Sequence, residues 1–181
     1  MTVEECVRLA AELLGIEKEI SPETETETGK RKAALLLTCY NIVENELALD
    51  YLPLTAEDTI RSNTGVIEYE SLKYPVVRIV EVKDGQGENV DFHIFAKYLK
   101  TETGTVTVRY TYTPSKKTME EESDFTAPVS SRLIAYGIAA EYAMANGLFE
   151  DASVWEKKYK QAIENAYRLQ PCVRIRSRRW V

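Results

Sequence analysis

The spacing of the apolar residues changes twice along the chain, and this change constrains the fold more than any other feature of the sequence. Towards both ends, apolar residues recur every three to four positions, as they do on one face of an amphipathic helix. In the middle they alternate with polar residues, most clearly over 105–112, where threonine or arginine alternates with valine or tyrosine. Such alternation is typical of a strand with one face in water. The sequence therefore predicts an α+β fold in which a β segment is inserted between helices.

Two N-terminal and two C-terminal helices account for the helical spacing, and they are predicted at 2–14, 30–50, 127–146 and 150–169. The first opens with Thr2 and Glu5 at capping-box spacing. The last two are joined by Asn146-Gly147, a helix-stop pair, and are therefore predicted to form an α-hairpin. Trp155 belongs to the apolar stripe of the fourth helix, so it is predicted to be a core residue. Together the four segments predict a mainly helical bundle.

The insertion between the second and third helices is predicted to span about 57–113 and to form an antiparallel β-meander. Its strands are predicted at 65–69, 76–82, 92–98 and 105–112. The turns between them are short, and short connections favour antiparallel pairing of consecutive strands. The polar segment 16–28 is predicted to be a solvated linker or loop. Residues 1–170 are thus predicted to form a single α+β domain, followed by an extended C-terminal tail at 171–181.

Composition argues against several classes of function. The chain has 181 residues and a net charge of −6, unlike a protein that binds nucleic acid through a basic surface. His93 is the only histidine and no phosphate-binding or metal-binding motif occurs, so we predict no enzymatic activity, no metal and no cofactor. The dense acidic segment Glu120–Glu122, with Asp124, is predicted to be a solvated loop rather than a catalytic carboxylate site.

Other features bear on the location of the protein. The longest apolar run, 33–37, has five residues, far fewer than the roughly 18 that a membrane span needs. The first residues are acidic and amphipathic, unlike a signal or transit peptide. Three widely spaced cysteines favour a reducing compartment, and Cys39 is predicted to be a buried structural thiol. We therefore expect a cytoplasmic protein with no membrane partner.

The C-terminal tail differs in charge from the rest of the chain. Of 23 basic residues four lie in 172–181, which has no acid, so 19 basic and 29 acidic residues remain elsewhere, a net charge of −10. In an extended tail, apolar and arginine side chains would face opposite sides, and a tryptophan near the end would be an anchor. The predicted partner-binding residues are Val173, Arg174, Ile175, Arg176, Arg178, Arg179, Trp180 and Val181. Packing on the protein's own sheet and contact with nucleic acid are the alternatives.

The C-terminal part of the chain resembles the head-to-tail connector proteins of tailed bacteriophages, also called adaptor or head completion proteins. The likeness is concentrated in the last 55 residues, 127–181, and the order of elements in the whole chain fits the same plan. The segments that carry it are VSSRLIAYGIAAEY at 129–142, NGLFEDA at 146–152, the helix from Trp155 to Tyr167, and Arg178-Arg179-Trp180 at the terminus. The long β insertion departs from the shortest members of the family.

The resemblance implies a homo-oligomeric ring, usually a dodecamer, beneath the portal protein at one capsid vertex. Residues 173–181 would contact the portal, and the two C-terminal helices and the second helix would make the ring contacts. A stopper or another tail-side neck protein would dock on the other side, and double-stranded DNA would pass through the channel. Such a subunit is expected in the host cytoplasm during assembly and in the virion neck afterwards.

Charge supports this interpretation, because a body with a net charge of −10 repels the phosphates of DNA that must pass without sticking. The alternative is a small nucleic-acid-binding or packaging accessory protein that uses the arginine-rich tail. That alternative predicts salt-dependent DNA binding by the intact protein.

Overall fold

The computed structural model describes residues 1–20, 26–126 and 129–168. Its described residues belong to two compact units, which we call the helical unit (1–40 and 119–168) and the β unit (41–118). The predicted α+β class is confirmed, since the described residues contain five α-helices and two small antiparallel sheets. The predicted insertion at about 57–113 lies within the β unit, and the predicted tail, 171–181, lies outside the described residues.

The described α-helices are α1, Val3–Leu14; α2, Glu17–Ile20; α3, Glu27–Glu46; α4, Ser131–Ala145; and α5, Phe149–Arg168. Helix α1 begins within one residue of the prediction, because the Thr2 hydroxyl accepts a 3.2 Å hydrogen bond from the amide of Glu5. Helix α4 begins at Ser131 rather than 127, because Ser130 caps it by accepting a 3.2 Å bond from the Leu133 amide. The short helix α2 lies within the segment 16–28 that was predicted to be a linker.

Helix α4 is the centre of the helical unit and packs against both α1 and α5. Its small residues Ala135, Ala139 and Ala143 are fully buried, which lets neighbouring helices approach closely. The predicted α-hairpin joins α4 to α5, and Gly147 adopts a φ of 74° in the turn, a value that favours glycine. Trp155, predicted to be a core residue, is only half-buried.

Helix α3 continues as a π-helical turn, Leu47–Tyr51, which ends with a hydrogen bond from the Leu52 amide to the Leu47 carbonyl.

In the β unit, the side chain of Asn41 forms two hydrogen bonds with the backbone of Lys117. Its oxygen accepts from the Lys117 amide at 2.6 Å, and its nitrogen donates to the Lys117 carbonyl at 3.2 Å. These bonds hold the segment that follows the last strand against the end of α3.

The strands of the β unit are β1, Leu54–Ser62; β2, Val66–Glu68; β3, Val76–Asp84; β4, His93–Ile94; β5, Tyr98–Lys100; and β6, Gly104–Tyr112. They form two three-stranded antiparallel sheets, ordered β1-β6-β3 and β2-β5-β4. The predicted antiparallel pairing is confirmed, but the predicted meander is wrong, because β6 lies between β1 and β3. Strand β6 pairs with β1 along one edge and with β3 along the other.

Two strand predictions fail for identifiable reasons. Strand β1 was not predicted because Asp58 interrupts its inward-facing positions. The carboxylate of Asp58 accepts hydrogen bonds from the Tyr110 hydroxyl at 2.7 Å and from the Lys73 amide at 2.8 Å. These bonds allow the acid to occupy an inward-facing position of the strand. The strand predicted at 92–98 is divided between β4 and the first residue of β5, because the Phe95 amide donates to the Tyr98 carbonyl at 2.9 Å and closes a turn between them.

The core of the β unit lies on the inward faces of these strands. Its buried residues come from both sheets and from the turns between them: Ile67, Leu72, Ile79, Val82, Leu99, Val106, Val108, Tyr110 and Tyr112. The opposite face of β6 carries the threonines and the arginine of the alternating pattern, and these side chains are half-buried or exposed. The face assignment read from 105–112 is therefore confirmed.

Candidate assembly surfaces

The predicted portal-contact residues, 173–181, lie outside the described residues, so the candidate site is built from the helices that precede them. Helix α5 is described as far as Arg168. Three surfaces of the helical unit have chemistry suited to assembly: a group of cations and aromatic rings on α4 and α5, an apolar tip on the hairpin, and an acidic edge beside α1.

The first surface is a cation–aromatic cluster made of Arg132, Tyr136, Trp155 and Lys158. The rings of Tyr136 and Trp155 stack with centroids 6.0 Å apart and planes 25° apart. The Lys158 ammonium lies 4.1 Å from the centroid of the Trp155 ring, well within cation–π range. Arg132 lies 5.5 Å above the Tyr136 ring and donates from Nε to the Tyr136 hydroxyl at 2.6 Å. Two cations are thus held over half-exposed rings on one face.

Helical spacing brings these four residues together. Arg132 and Tyr136 are four positions apart on α4, and Trp155 and Lys158 are three positions apart on α5, so each pair shares one face of its helix. The antiparallel hairpin then places the two faces side by side. Sequence reasoning missed the cluster because it assigned Tyr136 and Trp155 to apolar stripes. The sequence signal for it is a cation four positions before Tyr136 and another three positions after Trp155.

The second surface is the hairpin tip, made of Met144, Leu148 and Phe149. These side chains are 52%, 49% and 67% exposed, respectively. Their backbone is well held, since the Leu148 amide donates to the Ala143 carbonyl at 2.9 Å and the Asn146 side chain donates to the Tyr142 carbonyl at 2.8 Å. Several apolar side chains exposed on one ordered turn are typical of a protein–protein contact.

The third surface is the acidic edge, made of Glu4, Glu5, Glu120 and Glu122. All four side chains are exposed. The predicted loop 120–124 is anchored through its backbone: Thr2 and Glu122 form an antiparallel bridge, and the Val3 amide donates to the Glu121 carbonyl at 3.0 Å. This places the carboxylates beside the N-terminus of α1, where the helix dipole favours negative charge. The predicted solvated loop is exposed at Glu120–Glu122 and half-buried at Asp124, and it has a defined position.

The described residues offer no assembled metal site, since no group of three or more histidine, cysteine, aspartate or glutamate side chains is placed to hold an ion. His93 is exposed on β4. Cys39 is only 2% exposed, and burial raises the pKa of its thiol to about 11, so it stays protonated at neutral pH. The prediction that Cys39 is buried is confirmed.

The comparisons with known proteins do not identify a function for these surfaces. No protein-family model matches the chain, and no curated protein matches it either. Within the described ranges, no helix is both long and apolar enough to cross a membrane.

Proposed function

We propose that the protein is a head-to-tail connector subunit of a tailed bacteriophage, which forms a ring beneath the portal protein. The observation that carries this proposal is that the α4–α5 hairpin exposes both a cation–aromatic cluster and an apolar tip. Arginine, tryptophan and tyrosine are the residue types most enriched at the energetic centres of interfaces. The same hairpin carries most of the resemblance to the connector family.

The position of the charges supports a ring. Helix α4 packs on α1 at one side and on α5 at the other, and within the described residues α1 and α5 contact each other little. The acidic edge beside α1 and the cation–aromatic cluster on α4 and α5 therefore belong to different sides of the helical unit. Two copies can place the acidic edge of one against the cluster of the next. Such a head-to-tail contact repeats and closes into a ring when the rotation allows it; we propose a dodecamer.

The proposed portal contact is the tail, 173–181, which follows α5. Thirteen residues follow Arg168, and a chain of that length can reach about 45 Å when extended. Without the tail the chain has a net charge of −10, which suits a channel through which DNA passes without binding. We propose no catalytic activity for the protein, and a stopper or tail-side neck protein as its other neighbour.

The tail is tested by deleting residues 172–181 and measuring capture of the protein on immobilised portal rings. We expect the truncated protein to keep its melting transition and to lose capture. Trp180→Ala should weaken capture most among single changes, by roughly 2 kcal/mol. Capture of the truncated protein at the wild-type level would refute the portal contact, and loss of its melting transition would show that the tail belongs to the protein's own core.

A nucleic-acid-binding accessory protein is the second candidate, and the cation–aromatic cluster is the observation that favours it. Single-stranded nucleic acids bind grooves that combine cations with stacking rings. However, Arg132 and Lys158 already lie over the two rings of the cluster, which leaves less of each ring face open to a base. Filter binding with single-stranded and double-stranded DNA at rising salt decides the question. Steeply salt-dependent binding that Lys158→Ala weakens would support this second candidate.

A further inference from the structure

A hollow beside the short strand β4 has chemistry that the ring does not use. It has a volume of about 630 Å³ and is lined by Glu68, Glu70, Phe95, Ala96, Lys97 and Tyr98. We call it the β4 hollow. All of its lining belongs to the β unit, whereas the three assembly surfaces are made of residues of the helical unit. Its volume lies within the range of about 300–1,000 Å³ that is usual for ligand pockets.

The floor of the hollow is held by backbone hydrogen bonds. The Phe95 amide donates to the Tyr98 carbonyl at 2.9 Å, and the Tyr69 amide donates to the Lys97 carbonyl at 3.1 Å. The Tyr69 hydroxyl donates to the Phe95 carbonyl at 2.9 Å. The turn 95–98 is thus tied to the segment that carries Glu68 and Glu70, and the hollow does not have to be ordered by a ligand.

The hollow presents aromatic and apolar surface to solvent. The Phe95 ring stacks on the Tyr98 ring with centroids 4.7 Å apart and planes 19° apart, yet Phe95 remains 43% exposed. Ile94 beside it on β4 is 60% exposed. Exposed ring faces of this kind attract planar cations and apolar side chains.

The hollow also has carboxylates available for a partner. Glu68 and Glu70 are exposed, and neither takes part in an ion pair with another described residue. The acids on the sheet β1-β6-β3 behave differently, since Glu57 and Glu81 both pair with Arg109. Lys97 is the only cation in the lining, so two negative charges face one positive charge there.

We propose that the β4 hollow binds an arginine side chain presented by an extended segment of a neighbouring protein. The guanidinium group is planar and can stack on an aromatic ring while its N–H groups pair with carboxylates. The exposed Ile94 and Phe95 side chains offer apolar contact to the rest of such a segment. This site goes beyond the ring and does not depend on it.

The probe is the pentapeptide acetyl-Val-Arg-Val-Arg-Val-amide, and its control has citrulline in place of both arginines, which removes the charge and keeps the shape. Each peptide is titrated into the ¹⁵N-labelled full-length protein. We expect shifts at the amides of 68–70 and 94–98, and binding of the citrulline peptide at least tenfold weaker. Citrulline binding as tight as arginine binding, shifts confined to other residues, or no shifts at millimolar peptide would each overturn the proposal.

Charge variants of the lining sharpen the test. Glu68→Gln combined with Glu70→Gln should weaken arginine-peptide binding about tenfold, whereas Lys97→Gln should strengthen it at least twofold. Glu102→Gln is the matched control, since it removes an exposed acid of the same unit that does not line the hollow. All four side chains are exposed, so the rest of the spectrum should not change. Weakening by Lys97→Gln, or equal weakening by Glu102→Gln, would contradict a specific site.

Discussion

The outer face of the sheet β1-β6-β3 and the cation–aromatic cluster of the helical unit differ in how their charged side chains are paired. On the sheet β1-β6-β3, Arg109 of the central strand pairs with Glu57 at 3.4 Å on one side and with Glu81 at 3.2 Å on the other. Lys83 and Arg109 together hold the pKa of Glu81 below its usual value. The hydroxyls of Thr59 and Thr107 pair across the same strands at 3.0 Å. This face of the β unit satisfies its own polar groups.

In the helical unit, Arg132 and Lys158 lie over aromatic rings instead of carboxylates. Other cations of this unit do pair with acids, as Arg8 does with Glu12 and Lys160 with Glu156. Arg132 and Lys158 form no ion pair with any described residue, and the acidic edge lies on the α1 side of α4. The comparison indicates that the outer face of the sheet is suited to solvent and that the cation–aromatic cluster is suited to a partner. A face whose charges pair within one copy needs nothing further, whereas complementary charges on two different sides of one unit favour contact between copies.

The first prediction concerns the centre of the helical unit. Ile138→Ala should lower the free energy of unfolding by about 3 kcal/mol, because Ile138 is fully buried on α4 and its truncation leaves a cavity. Met144→Ala on the same helix is the control and should cost less than about 0.5 kcal/mol, because Met144 is exposed. Urea unfolding followed by circular dichroism measures both. Equal losses for the two variants would contradict the assignment of faces.

The second prediction separates the two faces of β1. Asp58→Ala should lower the free energy of unfolding by about 2 kcal/mol, because the Tyr110 hydroxyl and the Lys73 amide lose their acceptor. Glu57→Ala, one residue earlier, removes only a partly exposed ion pair and should cost less than about 0.5 kcal/mol. The same urea titration compares them. A larger loss for Glu57→Ala would show that the outer charge ladder, not the inner hydrogen bonds, stabilises the strand.

The third prediction concerns pH. Burial, and then the hydrogen bond to Asp58, raises the pKa of Tyr110 to about 12 from an ordinary value of 10.0. The folded protein therefore holds this proton more tightly than the unfolded chain does. The resulting stabilisation is present below pH 10 and is lost as the pH rises from 10 towards 12. Unfolding in urea at pH 9, 10 and 11 should show a steeper decline for the wild type than for Tyr110→Phe, and parallel declines would contradict this account.

Much of the fold could be predicted from the sequence, because helices depend on local spacing. The capping pair Thr2 and Glu5 and the stop pair Asn146-Gly147 mark real helix boundaries. The order of the strands could not be predicted in this way, because the pairing of β1 with β6 joins residues about 50 positions apart, as in Asp58 with Val108. Strand β1 could not be predicted because Asp58 interrupts the apolar alternation of its inner face. The hydrogen bonds from Tyr110 and Lys73 that satisfy this acid become evident only in the folded structure.

The candidate site was predicted only in part. The tail was identified by its arginines, but it lies outside the described residues, so its role stays a prediction. The cation–aromatic cluster was missed because aromatic residues at helical spacing usually indicate a core. Trp155 stacks on Tyr136 of α4, and this position depends on how the two helices pack against each other. Helical spacing alone does not predict the packing of two helices.

The central claim, that the charges of the helical unit pair between copies, is tested most directly by the mass of the portal-bound assembly. Light scattering on portal rings saturated with wild-type protein should show one added ring of subunits. Lys158→Glu should raise the concentration needed for half-saturation about tenfold. The combined variant with Lys158→Glu, Glu120→Lys and Glu122→Lys, in which the charges are exchanged, should restore assembly. Assembly of Lys158→Glu at the wild-type concentration, or failure of the exchanged variant to recover, would contradict the claim.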